Sequence, residues 1–175
     1  MNLQIIMGGM FSGKSTELIR RVKRHSVIGK KVLVVNSSKD VRSSEDVVQT
    51  HDAQRYHCVK LVELLGCSID DYDVIAIDEA QFFHGLRTFV EIALSQGKHV
   101  ILAGLDGDFK QRPFGEIFEV LPLADEVLKL CALCMTCKDG TLGPFTKRCS
   151  STSQVQELIG GADVYSAVCR KCLTL

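Results

Sequence analysis

Three sets of residues in this chain have types and spacings that could do chemistry. The first is Gly8-Gly9-Met10-Phe11-Ser12-Gly13-Lys14-Ser15, the G-x-x-x-x-G-K-S pattern of a phosphate-binding loop. Glycines let successive backbone N–H groups turn inward around a phosphate, and the helix that follows adds the positive end of its dipole. Lys14 supplies a charge for β- and γ-oxygens, and the Ser15 hydroxyl can sit on magnesium, so the ligand implied is a nucleoside triphosphate with Mg²⁺. The flanks suit the motif. Leu3–Met7 is a short apolar run, and Thr16–Ile28 has helical spacing, with Leu18, Ile19 and Val22 set against Arg20, Arg21, Lys23 and Arg24.

The second set is Asp78-Glu79, which closes the apolar run Val74-Ile75-Ala76-Ile77. Ligands of open α/β sheets gather at the carboxyl ends of strands, where a phosphate loop also lies. Asp78 fits the acid on the magnesium side, which leaves Glu79 to take a proton from an attacking hydroxyl or water.

The third set is two C-x-x-C pairs, Cys134/Cys137 and Cys169/Cys172. Four thiolates so spaced can close a tetrahedral zinc site, with Lys138, Arg170 and Lys171 to offset its charge. Cys131 lies three residues before Cys134, which admits an iron–sulfur cluster; we read it instead as a buried core thiol closing Val127–Leu130. Cys58, Cys67 and Cys149 are read the same way. Zinc held by four protein sulfurs has no open position for catalysis, so its role is structural. It would pin both ends of the segment 138–168, and pinned loops of this kind serve as lids over ligands.

The elements that must position these groups follow from periodicity. Strands are expected at Leu3–Met7, Lys31–Asn36, Val74–Ile77, His99–Leu105 and Val127–Leu130, mostly without the alternation of a half-exposed strand. Helices are expected at Thr16–Ile28, Lys60–Leu65, Leu86–Gln96 and Glu116–Val120, with Gly29 and Gly97 as left-handed caps. This alternation predicts an α/β fold with a mostly parallel sheet over residues 1–130, then a small zinc-binding unit over 131–175. Residues 37–57 read as a flexible loop, and His25, His51 and His57 as surface groups. Basic and acidic residues number 21 each, so the basic excess usual in a nucleic-acid binder is missing. No apolar stretch approaches the roughly 20 residues that span a bilayer. Residues 1–7 lack the basic start of a signal peptide, so a cytoplasmic chain with no membrane partner is expected.

With these parts assembled, the chain resembles the type II thymidine kinases, cellular and viral, over nearly its whole length. The resemblance is carried by Met10–Leu18, Lys39-Asp40-Val41-Arg42 and Ile77-Asp78-Glu79-Ala80-Gln81-Phe82-Phe83. Leu105-Asp106-Gly107-Asp108-Phe109, Pro113-Phe114, Phe145-Thr146-Lys147-Arg148 and Ile159-Gly160-Gly161-Ala162-Asp163-Val164-Tyr165 add to it. The resemblance implies a RecA-like phosphate-loop domain followed by a zinc-bound lasso. It implies ATP held by Gly8, Gly9, Met10, Phe11, Ser12, Gly13, Lys14, Ser15 and Thr16, with Asp40, Val41, Arg42, Asp78 and Gln81, and Mg²⁺ held by Ser15 and Asp78. Glu79 would take the proton of the thymidine 5′-hydroxyl. Met10, Phe82, Leu105, Phe109, Phe114, Thr146 and Tyr165 would enclose the nucleoside, and Gln156, Glu157, Leu158, Ile159 and Gly160 would read its base through backbone groups. Thymidine monophosphate as product, deoxyuridine as a further substrate, dTTP feedback and a homotetramer are also implied. Gly9, Asp108 and Gln156 depart from the family pattern, in which proline, threonine and an apolar residue respectively are common.

Two other readings compete. A motor- or recombinase-type ATPase would use Glu79 to activate water, but the chain is short and devotes its last quarter to a pinned loop. A zinc module binding nucleic acid or protein would leave the phosphate loop and acidic strand end unexplained.

Overall fold

Strand β1 (Asn2–Gly8) leads into helix α1 (Lys14–Val27), and β2 (Val32–Ser37) follows. Next come β3 (Val47–Gln49), β4 (Arg55–His57), β5 (Val59–Leu61), β6 (Val74–Ile77), α2 (Leu86–Ser95), β7 (His99–Gly104), α3 (Ile117–Val120) and β8 (Glu126–Leu130). The C-terminal part carries β9 (Ala132–Leu133), β10 (Leu142–Gly143), β11 (Phe145–Arg148), β12 (Tyr165–Val168) and α4 (Arg170–Leu173). The computed structural model describes residues 1–40, 47–49, 55–149, 156, 158 and 160–174.

Six strands form one sheet in the order β5-β2-β6-β7-β1-β8, with every pairing parallel. Its central strands read as unbroken apolar runs because both faces are covered. On one face Ile6, Val34, Ala76, Ile101 and Ala103 pack with Leu18, Ile19 and Val22 of α1. On the other, Leu3, Ile5, Ile75, Ile77, Val100 and Leu102 pack with Phe83, Leu86, Phe89, Val90, Ile117 and Val120. Burying each Val, Leu, Ile or Phe among these contributes about 1.5–3 kcal/mol, so the helices are held mainly by their apolar faces. The expected α/β fold with a mostly parallel sheet is therefore present.

This order positions the site. Strand β7 lies between β1 and β6, and Gly8, Gly104 and Ile77 end the three strands at the same edge. With strands about 4.8 Å apart, the phosphate loop and the Asp78-Glu79 step leave the sheet about 10 Å from each other. The chain after β7 emerges between them.

Several expectations fail. Lys60–Leu65 is not a helix: Val59–Leu61 pairs in parallel with the free edge of β2. Leu61, Leu64 and Leu65 mimic helical spacing, but the β-branched Val59 and Val62 favour an extended chain, and Gly66 at φ +93° ends it in a turn. Within 37–57, β3 and β4 pair antiparallel, and Val48 is fully buried against the α1 side of the core. Cys131 is exposed rather than buried, because β8 is an edge strand covered only in part. Cys149 is exposed as well, and Cys67 is half-buried, whereas Cys58 is buried as expected. His25 is half-buried, its ring centroid 4.5 Å from that of His99. His57 is exposed, and His51 lies outside the described residues. Among the described residues, no helix is long and apolar enough to cross a membrane.

Candidate active site

Helix α1 begins without a side-chain cap, behind Gly13 in the left-handed conformation at φ +84°. Its first N–H groups therefore point into the loop, available to an anionic ligand. Phe11 is also left-handed, at φ +65°, which costs a non-glycine residue about 1 kcal/mol or more. Lys14 is 8% exposed and donates its Nζ to the Gly9 carbonyl at 2.8 Å; the Ser12 hydroxyl donates to the same oxygen at 2.8 Å. The loop is thus closed on itself, with its ammonium already inside.

Glu79 stands just past β6 in the left-handed region, at φ +51°. That turn brings its carboxylate to Gln81, whose Nε2 donates to Glu79 Oε2 at 2.6 Å. The other end of the Gln81 amide accepts the Leu105 backbone N–H at 3.0 Å. One buried glutamine therefore links the ends of β6 and β7 and holds Glu79.

Both groups line one cavity of about 210 Å³. Met10, Phe11, Ser12, Gly13, Lys14, Ser15, Thr16, Lys39 and Asp40 form one side of it, and Glu79, Gln81, Phe82, Leu105, Phe109 and Phe114 another. Thr146, Gln156, Leu158, Gly160 and Tyr165 close it from the C-terminal part. Phe82 and Phe114 meet edge to face, centroids 5.6 Å apart at 89°, while Phe83 turns away into the core. Asp40 is buried, its Oδ2 accepting from Asn36 at 2.8 Å. Gly8, Gly9 and Asp78 are not on the cavity wall. Asp78 is 1% exposed, and its backbone N–H donates to Val35. Val41, Arg42, Glu157 and Ile159 lie outside the described residues.

The C-terminal part sits directly on the phosphate loop. The Met10 N–H donates to Thr146 Oγ1 at 2.9 Å. A Cβ at Gly9 would come within 3.2 Å of both the Pro144 carbonyl and Thr146 Oγ1, so glycine suits this contact. Strands β11 and β12 pair antiparallel, placing Arg148 opposite Tyr165. The Arg148 guanidinium lies 3.7 Å from the centroid of Phe109, and it donates to the Tyr165 hydroxyl at 2.7 Å. Tyr165 in turn donates to the Leu158 carbonyl at 2.6 Å.

Cys134, Cys137, Cys169 and Cys172 come together, with all four sulfurs within 4.8 Å of one another. Cys137 Sγ is 3.8 Å from Cys169 Sγ and 3.5 Å from Cys172 Sγ. A zinc–sulfur tetrahedron with bonds of about 2.3 Å has edges of about 3.8 Å, so the donor set fits structural zinc. The Cys137 backbone N–H reaches Cys134 Sγ at 3.5 Å and draws that thiol toward the thiolate. The sulfurs crowding Cys137, Cys172 foremost, push its pKa up, so four thiolates need a cation among them. The exposed Cys131 is not part of the group.

Sequence reasoning did not assign site roles to Lys39, Gly107, Asp108 or Gly161, all on the cavity wall, or to Arg148. Arg148 was findable. Along Phe145–Arg148 the period of two puts Thr146 and Arg148 on one face.

The thymidine kinase family profile matches residues 1–173. The chain belongs to the thymidine kinase family. Thymidine kinase a of Arabidopsis thaliana is 46% identical over 177 residues, covering 97% of this chain and 73% of that protein. The thymidine kinases of Monkeypox virus and of Vaccinia virus (strain Western Reserve) are each 42% identical over 174 residues, covering 98% of this chain and 96% of theirs. The protein is accordingly a kinase acting on small molecules, with a cysteine quartet able to hold structural zinc.

Proposed function

We propose that this kinase transfers the γ-phosphoryl group of ATP to the 5′-hydroxyl of thymidine, and also to that of deoxyuridine. The thymidine product, dTMP, would feed pyrimidine salvage and DNA synthesis. One observation carries the reading: an uncapped phosphate loop and a carboxylate line a single cavity whose far side is aromatic. ATP would be held by Gly8–Thr16 with Asp40, Val41, Arg42, Asp78 and Gln81. Lys14 leaves the Gly9 carbonyl for the β- and γ-oxygens, and the α1 N–H groups hold the phosphates. Magnesium, which Ser15 and Asp78 would hold, supplies charge neutralisation on the phosphates. Glu79, fixed by Gln81, accepts the proton of the 5′-hydroxyl as its oxygen bonds to the γ-phosphorus, and the bond to ADP breaks.

Phe82, Phe109, Phe114 and Tyr165 offer flat apolar faces to base and sugar, with Met10, Leu105 and Thr146 beside them. Backbone groups of Gln156, Glu157, Leu158, Ile159 and Gly160 would pair with the base. Zinc would pin this unit, residues 131–175, against the domain of residues 1–130. Residence in the cytoplasm, a homotetramer and inhibition by dTTP belong to the same reading, on the strength of the family resemblance. Glu79→Gln tests it. Turnover of thymidine should fall about 10²–10⁴-fold with little change in ATP affinity, measured by steady-state kinetics and nucleotide titration. Turnover near that of the parent would remove Glu79 as the base.

A further inference from the structure

Asp108 sits in the turn after β7 with its side chain 1% exposed. Its Oδ1 accepts the backbone N–H groups of Lys110 at 2.8 Å and Arg112 at 2.9 Å, and its Oδ2 accepts the Arg112 guanidinium at 3.0 and 3.1 Å. Burial alone would raise its pKa, but these donors outweigh burial and keep the group ionised. The turn therefore satisfies its own charge. One further donor arrives from the opposite wall: Gln156 Nε2, 2.9 Å from Oδ2. The same nitrogen reaches the Pro113 carbonyl at 3.1 Å, so both amide protons of Gln156 are directed to this one turn.

A half-buried glutamine with three rotatable bonds would otherwise sample several rotamers. Here its two ends are fixed. Its backbone carbonyl accepts from Arg148 at 3.1 Å, and Arg148 is the group stacked on Phe109 and bonded to the Tyr165 hydroxyl. A continuous path thus runs from Asp108 through Gln156 and Arg148 to two aromatic rings on the cavity wall.

We propose that Asp108 and Gln156 form a clasp that sets affinity for the nucleoside, with Asp108 a positioning residue acting through Gln156 and Arg148 on the Phe109–Tyr165 wall. The proposal rests on the assignment of that wall to the nucleoside. A charge-assisted bond to a neutral amide is stronger than a neutral one and fixes direction as well as distance. Gln156→Leu removes the donor to Oδ2 while leaving the Asp108–Arg112 pair in place, and Asp108→Asn removes the charge that the Gln156 amide meets, so the two changes act on one contact.

The test is steady-state kinetics of the parent, D108N, Q156L and the D108N/Q156L pair, with zinc per chain and melting temperature measured on each. Each single variant should raise the thymidine KM about tenfold, more than it moves kcat or the KM for ATP, and the pair should lose no more than the larger single loss, because both act on one contact. Unmoved thymidine KM values overturn the clasp, as do single losses that multiply in the pair. Parallel losses of melting temperature, zinc and kcat in the single variants also overturn it, since they mark a purely structural bond. Glu79→Gln, assayed alongside, separates the two levels. If the clasp variants are silent while Glu79→Gln abolishes thymidine turnover, the clasp alone fails. If the parent shows no thymidine-dependent phosphoryl transfer, the nucleoside assignment itself fails.

Discussion

Around the phosphate loop, the polar atoms that face the cavity are held by backbone the parallel sheet already fixes, whereas the opposite wall is held by side chains from separate segments. The loop needs only a left-handed Gly13, the start of α1 and the end of β1. The C-terminal wall needs Arg148 on Phe109, Tyr165 on Leu158 and a cysteine quartet at its base. That part has a small core of its own, built around Cys134, Val168 and Cys172. A wall made this way can be undone without unfolding the sheet, and the loop cannot.

The sharpest way to break that contrast is to remove the zinc that the cysteine quartet is able to hold. A structural zinc contributes on the order of 10 kcal/mol, and of the three described residues buried in this core two, Cys134 and Cys172, belong to the quartet itself. Chelation, or Cys172→Ser, should lower thymidine phosphorylation by about 10²-fold or more while affinity for an ATP analogue stays within a few-fold. Equal loss of both would show that the two walls stand or fall together. A smaller effect is expected from Tyr165→Phe, which deletes only the hydroxyl between Arg148 and the Leu158 carbonyl. The thymidine KM should rise about 5- to 30-fold with the KM for ATP unmoved, as read from initial rates.

The smallest effect lies on the sheet side. Donation from Arg20, then from Arg21, holds the Glu17 carboxyl at about 2 against an ordinary 4.5. A lowered carboxylate pKa adds stability that is complete above pH 4.5 and is lost as pH falls toward 2. Glu17→Gln should therefore cost about 1 kcal/mol near pH 7, since Arg20 is largely exposed, and only a small part of that at pH 2, where the carboxyl is half protonated. Denaturant midpoints across that window measure it. A cost undiminished at pH 2 would point to packing rather than charge.

The same contrast explains what could be read from the sequence. Gly8–Ser15 and Val74–Glu79 are contiguous strings whose chemistry follows from local spacing, and β1, α1, β2, β6, α2, β7 and β8 fall close to the expected ranges. The two C-x-x-C pairs also announce their own partners. Asp108 and Gln156 do not, because each acquires its partner from far away in sequence: the two are 48 positions apart. Edge strands misled for a related reason. Val59–Leu61 and Cys131 depend on whether a neighbouring strand or helix covers them, which composition does not state.

The bond from Met10 to Thr146, with Gly9 pressed against Pro144, gives the two walls a shared hinge pin. A ligand that shifts β11 would then shift the first turn of the phosphate grip, and thermodynamic reciprocity would require a ligand on either side to change the other's affinity by the same factor.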